Sequence, residues 1–391
     1  MNHERVFTQP LFNLGFRVFF ALAGLSALML ILLWNAMFKG SLHLDNYFAA
    51  NEWHGHEMLL GYTSAVIAGF LLTAVKNWTG KPTITGDKLL GLALIWLYGR
   101  LIPFYSGLLP NELIALVDLA FLPALAYTIS IPLLAAKNYR NLIFVALLLL
   151  LTLANIFIHG GKLGFINNGV ITGLKLSIAT IILIIIVIAG RVIPFFTERG
   201  LSGVIIIRHP VFDHLAIGSS TMVFLLELFN HTGHLLAIPA TIASISHIVR
   251  LHSWYVRKIW YVPLLWVLYV GYAWIVLGFF FLALSAYQFV SASLSIHAFT
   301  VGGIGVLTIG MMARVSLGHT GRILKASNTI ALAFVLINIA ALLRVFMPMV
   351  LPDWYNNAIY LTSLVWLAAF ALFVFVYVPI LTTPRVDGAE G

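Results

Sequence analysis

Long apolar runs without alternation of polar and apolar residues constrain this chain more than any other feature. Residues 144 to 153 and 181 to 189 are two examples, and the mean hydropathy of the 391 residues is +1.00. A mean this high requires many spans of roughly 20 apolar residues. Because a membrane barrel needs alternating strands, and only helices or closed barrels satisfy the backbone in hydrocarbon, the runs predict an all-α polytopic membrane helix bundle.

Short polar connections between the runs predict about twelve transmembrane helices in a single transmembrane domain, residues 1 to 391. The predicted spans are 15–38, 58–75, 89–106, 112–135, 141–159, 170–190, 211–229, 234–251, 260–284, 294–314, 327–347 and 357–380. Basic residues concentrate in alternate connections, with Lys39 and Lys162 as the exceptions. Because cytoplasmic loops are rich in Lys and Arg, both termini are predicted to be cytoplasmic. The same loops explain the net charge of +9, so the charge does not indicate a nucleic-acid partner.

One pattern occurs twice without a gap: His-x4-Gly-x7-Gly-x9-Thr-Gly followed by a basic residue. It begins at His56 and again at His297, and the two copies extend over about residues 56–104 and 297–348. Each copy continues into a span with an arginine shortly before a proline, Arg100 in the first and Arg344 in the second. The match predicts an internal repeat in which both histidines lie near the outer surface.

The absence of cysteine excludes covalent haem attachment and leaves imidazole, carboxylate and thioether groups as metal ligands. Imidazole commonly holds haem iron, and an arginine inside a span needs an anionic partner such as a haem propionate. The two histidines and two arginines of the repeat therefore predict a non-covalent haem b with two axial histidines. A competing interpretation is that the repeat serves only helix packing and capping.

Further polar residues surround the first histidine of the repeat, His56. His54 lies two positions earlier, about 200° away on a regular helix, so its ring would serve a metal or another partner. Glu57 is placed to orient an imidazole or to relay a proton. His159 ends a later span and is a further candidate for the outer site, and Asp118 is an ionisable group inside a span.

Histidines also gather near the predicted inner surface. His247 and Arg250 lie on one helix face with Trp254. Neutral imidazole binds copper and other divalent ions, so a metal site between His214 and His247 is chemically reasonable. The competing interpretation places these side chains against lipid phosphates.

Three more residues are candidates for binding an anionic group. Arg191 stands in a segment that repeats the segment around Arg100 almost letter for letter, yet the predicted spans put it at the inner side. This difference indicates either an inverted repeat or an arginine that extends to the interface. Arg314 and His319 belong to residues 311–322, a stretch that could bind phosphate, a propionate or a lipid head group.

Several of these motifs together resemble the NnrS family, and the resemblance spans almost the whole chain. The motifs are Trp53-His54-Gly55-His56-Glu57-Met58, Ala68 to Val75, Asn77-Trp78-Thr79-Gly80, Gly190-Arg191 with Pro194-Phe195-Phe196, and Arg314 to Arg322. Members of that family are described as twelve-helix bacterial inner-membrane proteins that contain haem and copper and are linked to nitric-oxide tolerance and denitrification. The resemblance implies the same multi-pass location, cofactors and role for this chain.

Three functions are compatible with these expectations. The first is a haem-binding membrane protein that binds or chemically processes nitric oxide or its iron adducts, with copper as a further cofactor. The second is a secondary transporter, since internal repeats and glycine-interrupted helices are typical of that class. The third is an oxidoreductase of the nitric-oxide reductase or oxidase type, which needs a second redox metal beside the haem. The sequence leaves the electron donor open.

Overall fold

A computed structural model describes residues 9–42 and 45–388 of the chain. Within those residues there is no strand, and twelve helices are long and apolar enough to cross a membrane. The helices are α1 Gly15–Phe38, α2 Ala50–Thr79, α3 Asp87–Tyr105, α4 Asn111–Ala135, α5 Tyr139–Lys162, α6 Gly169–Gly200, α7 Pro210–Leu228, α8 His234–Trp254, α9 Pro263–Ser285, α10 Ala292–His319, α11 Asn328–Val350 and α12 Pro352–Thr382. The prediction of an all-α polytopic membrane protein is confirmed, whereas the cytoplasmic location of the termini and the single-domain organisation stay predictions.

The helices extend beyond the predicted spans mainly at α2 and α6. α2 begins eight residues before the predicted start, at Ala50, and includes Glu52, whereas α6 continues past Arg199 to Gly200. Hydropathy marks only the apolar part of a helix. The backbone hydrogen bonds of a helix continue into charged residues outside the hydrocarbon, so the real ends lie further out.

The chain forms two compact units. The first unit contains Met1–Ser177, Arg314–Ile323 and Phe373–Gly391, and the second contains Ile178–Ala313 and Leu324–Leu372. Helices α1 to α5 therefore belong to the first unit, and α7, α8, α9 and α11 to the second.

Helix α2 lies in the interior of the first unit. Of an apolar stretch of 18 residues in α2, 89% is buried. It packs tightly on α1 because small residues remove side chains from the contact: a Cβ at Gly69 would lie 2.7 Å from the Phe20 ring, and one at Gly15 would lie 2.4 Å from Leu72. The polar residues at the start of α2 are thereby carried into a protein core.

Both copies of the sequence repeat have the same local structure around the histidine. A π-helical turn, Glu57–Thr63, begins directly after His56 in α2. The corresponding turn in α10, Ala298–Gly305, begins directly after His297. Because π-helical turns are rare and occur frequently at functional sites, their position next to the two histidines is notable.

The rest of the repeat serves packing and helix termination. A Cβ at Gly310 would lie 2.7 Å from a valine of α9, a contact similar to that between α2 and α1. Gly80 and Gly321 have φ of +64° and +73°, in the left-handed region that favours glycine at a helix C-terminus. The hydroxyls of Thr79 and Thr320 each donate to the carbonyl four residues earlier, at 2.7 Å. The common spacing of the glycines and threonines thus has a structural explanation.

Candidate metal centre

Six buried polar side chains from four helices meet inside the first unit. We call them the α2–α5 cluster: His56 and Glu57 of α2, Arg100 of α3, Asp118 of α4, and Asn155 and His159 of α5. The most exposed member, Arg100, is 8% exposed. Because a buried charge is costly unless it is paired, the stability of this unit depends on the pairing inside the cluster.

Asp118 is the centre of the cluster. Its Oδ2 accepts from His56 Nε2 at 3.1 Å and from His159 Nε2 at 2.9 Å. The same oxygen accepts from Asn155 Nδ2 at 2.9 Å, while Oδ1 pairs with Arg100 Nη2. One carboxylate on α4 thereby joins side chains from three other helices.

Glu57 is a second carboxylate in the cluster. Its Oε1 accepts from Arg100 Nη1 at 2.8 Å and from His56 Nδ1 at 3.1 Å. Its other oxygen, Oε2, is buried and has no hydrogen-bond partner among residues 9–42 and 45–388, and the same is true of Arg100 Nε. A Cβ at Gly61 would lie 2.8 Å from this Oε2 and 3.1 Å from Arg100 Nη1, so only glycine leaves room here. An unpaired acceptor beside this glycine fits a water or another small polar ligand.

The hydrogen-bond partners determine the protonation of His56. Asn155 donates through Nδ2 to Asp118, so the atom that faces His56 Nε2 at 3.2 Å is the amide oxygen Oδ1. Nε2 therefore faces two acceptors, and Nδ1 faces the Glu57 carboxylate. Because an acceptor needs an N–H opposite it, His56 carries a proton on both nitrogens in this arrangement. Its positive charge and that of Arg100 balance the two carboxylates.

Two aromatic residues between α1 and α2 cover the cluster. Phe48 stacks on the His56 ring, with ring centroids 4.5 Å apart and an interplanar angle of 28°. The Tyr47 hydroxyl lies 3.3 Å from His159 Nδ1. Burial is the main cause that raises the pKa of Tyr47, and the charge of Asp118 raises it further. The phenol therefore stays protonated and donates to His159, whose own proton then sits on Nε2 and points to Asp118.

The cluster contains a metal-ligand set. His56, Asp118 and His159 each offer one ligand atom, and these atoms lie within 4.8 Å of one another. Bonds of about 2.0 Å arranged tetrahedrally around an ion separate the ligand atoms by about 3.3 Å. The contacts of 2.9 and 3.1 Å between Asp118 Oδ2 and the two imidazoles are only slightly shorter. The residues present therefore fit a divalent ion, which a small expansion would admit in place of the hydrogen bonds.

A further group of polar side chains, buried except for Asp213, lies in the second unit. We call it the α7–α9 cluster: Asp213 and Ser220 of α7, His247 and Arg250 of α8, and Tyr272 of α9. Arg250 donates through Nε to Asp213 Oδ1 at 2.7 Å and through Nη1 to the Tyr272 oxygen. The Tyr272 proton must then point to His247 Nδ1, at 2.6 Å, and His247 donates through Nε2 to Ser220 Oγ at 3.0 Å. Both imidazole nitrogens are used, so this cluster presents a complete hydrogen-bond chain.

The repeated Gly-Arg segment of the sequence has a counterpart in both clusters. A Cβ at Gly190 would lie 2.2 Å from Arg250 Nη2, and one at Gly99 would lie 3.1 Å from Asp118 Oδ1. Each glycine thus lies against an arginine-aspartate pair, which is buried at Gly99 and partly exposed at Gly190. The role predicted for Arg191, which follows Gly190 and is half-buried in α6, stays a prediction.

Of the residues predicted to hold a haem, the structure brings His56 and Arg100 together through Glu57 and Asp118. The other two have different neighbours. His297 Nδ1 contacts the Ser293 carbonyl at 2.7 Å, and Arg344 lies 3.5 Å from the hydroxyl of Tyr355.

The residues predicted to bind a second metal each contact different neighbours. His54 stacks on Trp34, with ring centroids 4.4 Å apart. His214 is exposed and its Nδ1 donates to the Pro210 carbonyl at 2.7 Å, whereas His247 belongs to the α7–α9 cluster with Arg250. Their roles as metal ligands stay predictions.

The last two candidates lie where α10 ends. Arg314 is 4% exposed, and the His319 ring lies 5.7 Å from the Phe16 ring. Anion binding by this segment also stays a prediction.

Sequence reasoning found several members of the α2–α5 cluster but missed Asn155, and it also missed Tyr47, which covers the cluster. A signal for Asn155 was present, because it precedes His159 by four residues and shares its helix face. Tyr47 has no such signal. Its contact with His159 joins a connection to a distant helix, and no local pattern predicts that.

Residues 10–385 match the family model described as NnrS protein. No match was found among curated proteins. The match covers nearly the whole chain and agrees with the motifs quoted above. The chain belongs to the NnrS family.

Proposed function

We propose that this chain is a bacterial inner-membrane protein of the nitric-oxide response that acts through a metal ion held in the α2–α5 cluster. The observation that carries the proposal is the convergence of His56, Asp118 and His159, whose ligand atoms lie within 4.8 Å of one another. Membership of the NnrS family supports the link to nitric oxide. The basic residues in alternate connections support an orientation with both termini in the cytoplasm.

The donor set favours copper. Two imidazoles and a carboxylate suit copper, nickel, iron or zinc better than magnesium or calcium, and copper(II) is bound most tightly of the first-row divalent ions. Asn155 Oδ1, which lies 3.2 Å from His56 Nε2, is a neighbouring oxygen. Copper held by His56, Asp118 and His159 would supply one-electron redox chemistry for a small ligand such as nitric oxide.

The surrounding residues would orient the ligands and exclude water. Arg100 binds Asp118 Oδ1, which leaves Oδ2 directed at the two histidines. Phe48 covers the His56 ring. When His159 Nε2 is a metal ligand, its proton has to sit on Nδ1, where the Tyr47 oxygen lies at 3.3 Å and can accept it.

Proton release should accompany metal binding. His56 Nε2 carries a proton when it is hydrogen-bonded to Asp118 and becomes a ligand only after it has lost that proton. The Glu57 carboxylate meanwhile keeps the second proton on Nδ1. The loss of the imidazolium charge reduces the net charge that a divalent ion adds to the buried cluster.

A haem held by His56 and His297 is a second proposal, supported by the π-helical turn that follows each histidine. It requires a larger rearrangement than a metal ion does. Both nitrogens of His56 contact acceptors, and Arg100 binds Glu57 and Asp118. In the arrangement described here, these two residues therefore do not fit an axial haem ligand and a propionate partner.

Metal and haem analysis of the purified full-length protein tests both proposals. We expect about one copper ion per chain, lost in His159→Ala. The matched control is His231→Ala, which removes an exposed histidine and should keep the ion. Protein without copper, iron or zinc would overturn the metal proposal and favour the transporter. A Soret band that disappears in His297→Ala would instead support the haem.

A second experiment links the site to nitric oxide. Cells that lack the protein would be complemented with the His159→Ala or the His231→Ala chain and grown with a nitric-oxide donor. We expect the control to restore growth and His159→Ala to fail. Equal growth of both strains would show that the α2–α5 cluster has no role in the nitric-oxide response. Turnover of nitric oxide by the reduced, purified protein would favour an oxidoreductase.

A further inference from the structure

Three arginines meet at one end of the first unit, where α1 begins and α10 and α12 end. We call Arg17, Arg322 and Arg385 the arginine triad. Arg17 Nη1 donates to the Thr383 carbonyl at 2.7 Å, and Arg322 Nη2 donates to Thr383 Oγ1 at 3.4 Å. Arg385 Nη1 donates to the His319 carbonyl at 3.2 Å. Three guanidinium groups therefore surround the short segments that follow α10 and α12.

Two members of the triad have protein groups that offset their charge. Arg17 is fully buried and also donates to the Leu381 carbonyl at 2.9 Å, so it caps the C-terminus of α12, where a cation is favourable. Arg385 donates through Nε to Asp387 at 2.9 Å. Arg322 differs, because it forms no ion pair with the residues that the structure describes.

The guanidinium of Arg322 is also incompletely hydrogen-bonded. Its Nη1 is buried and has no partner among the described residues. Ser316 Oγ, on the last turns of α10, is likewise buried without a partner. A buried N–H without an acceptor is costly. The Asp387 carboxylate lies against Gly321 but is bound by Arg385, so Arg322 Nη1 still favours an added acceptor. A planar guanidinium matches the oxygens of a phosphate.

The position of the triad along the helices indicates its depth. Arg17 lies in the first turn of α1, Arg322 follows α10 by a few residues, and Arg385 follows α12. Helices of this length reach the head-group region of a bilayer at their ends. Basic residues there attract anionic lipids, and the sequence predicts this side to be cytoplasmic.

We propose that the arginine triad binds a phosphate-type anion, with Arg322 Nη1 as the direct donor. Within a membrane, the phosphodiester of an anionic lipid presents the required oxygens at the right depth. Free phosphate offers the same oxygens and is the alternative source. This site is independent of the metal in the α2–α5 cluster.

Lipid titration of the purified full-length protein, followed by native mass spectrometry, tests the proposal. Phosphatidylglycerol is compared with phosphatidylcholine, whose choline cation the triad repels. Arg322→Gln removes the incompletely bonded guanidinium, and Arg140→Gln removes an exposed arginine from a connection predicted to lie on the same side. We expect phosphatidylglycerol to bind about tenfold more weakly to Arg322→Gln than to Arg140→Gln. Arg322→Lys keeps the charge without the planar fork and should show a smaller loss.

Equal affinity of Arg322→Gln and Arg140→Gln would overturn the proposal, because it would show a general attraction of lipid to a basic surface. Binding without preference for phosphatidylglycerol would overturn it as well. In the part of the chain that the structure describes, the Arg322 side chain makes a single hydrogen bond, at 3.4 Å, so Arg322→Gln should fold. Arg322→Lys tests the site if it does not. Competition with inorganic phosphate separates the two sources: displacement of the lipid identifies free phosphate as the ligand, and retention identifies the lipid.

Discussion

Asp118→Asn is expected to destabilise the protein strongly while it hardly changes the shape of the side chain. Asp118 is 2% exposed and accepts from His56, His159 and Asn155 through one oxygen and from Arg100 through the other. Removal of one partner of a buried ion pair costs about 3–5 kcal/mol, because the remaining charge stays buried. Glu57 still pairs with Arg100 in the variant, so we expect a loss near the lower limit, about 3 kcal/mol.

Thermal unfolding of the detergent-purified protein, followed by size-exclusion chromatography of the heated sample, measures this loss. Glu112→Gln is the matched control, since it removes an exposed carboxylate from the same helix and should change stability by less than about 0.5 kcal/mol. The double variant Asp118→Asn, Arg100→Gln should lose less than the sum of the single losses, because it removes both charges. The reasoning is refuted if Asp118→Asn unfolds at the same temperature as Glu112→Gln.

Gly61→Ala should destabilise the protein by about 1–3 kcal/mol in the same assay, because the added Cβ would lie 2.8 Å from a carboxylate oxygen of the α2–α5 cluster. Gly218→Ala is the control and should leave stability unchanged, because nothing lies within 4 Å of its Cβ. Tyr272→Phe removes the hydroxyl shared by an arginine and a histidine of the α7–α9 cluster, so a loss of about 1–3 kcal/mol is expected, and unchanged thermal stability would contradict that network. Copper affinity, measured by chelator competition, should rise with pH by up to about tenfold per unit, because binding displaces a proton from His56; a pH-independent affinity would contradict this.

The spans of this protein could be predicted because they depend on local properties. An apolar run of about 20 residues has to be helical in hydrocarbon, whatever its neighbours are. The ends were predicted less well. Charged residues such as Glu52 and Arg199 continue α2 and α6 beyond the apolar runs, and hydropathy does not report them.

The members of the α2–α5 cluster were partly predictable, but their partnerships were not. Arg100 and Asp118 stand out as ionisable residues in apolar spans, and His56 and Glu57 stand out at the start of the repeated pattern. Their contacts, however, link positions far apart in sequence: His56 contacts Asp118 at a separation of 62 residues and Asn155 at a separation of 99. The repeat suggested a partnership of His56 with His297, which stays a prediction, because likeness between two segments does not establish that they are close in space.

The sequence by itself determined that the chain is a membrane helix bundle with an internal repeat, and it identified the polar residues that need partners inside the protein. These conclusions rest on the cost of placing an unsatisfied polar group in hydrocarbon, which each segment incurs independently. Only the tertiary structure decided which of these residues share a cluster. That choice depends on which helix faces pack together, and packing is determined by close contacts such as those at Gly61, Gly99 and Gly190, where an added methyl group would clash with a charged partner from the same or another helix.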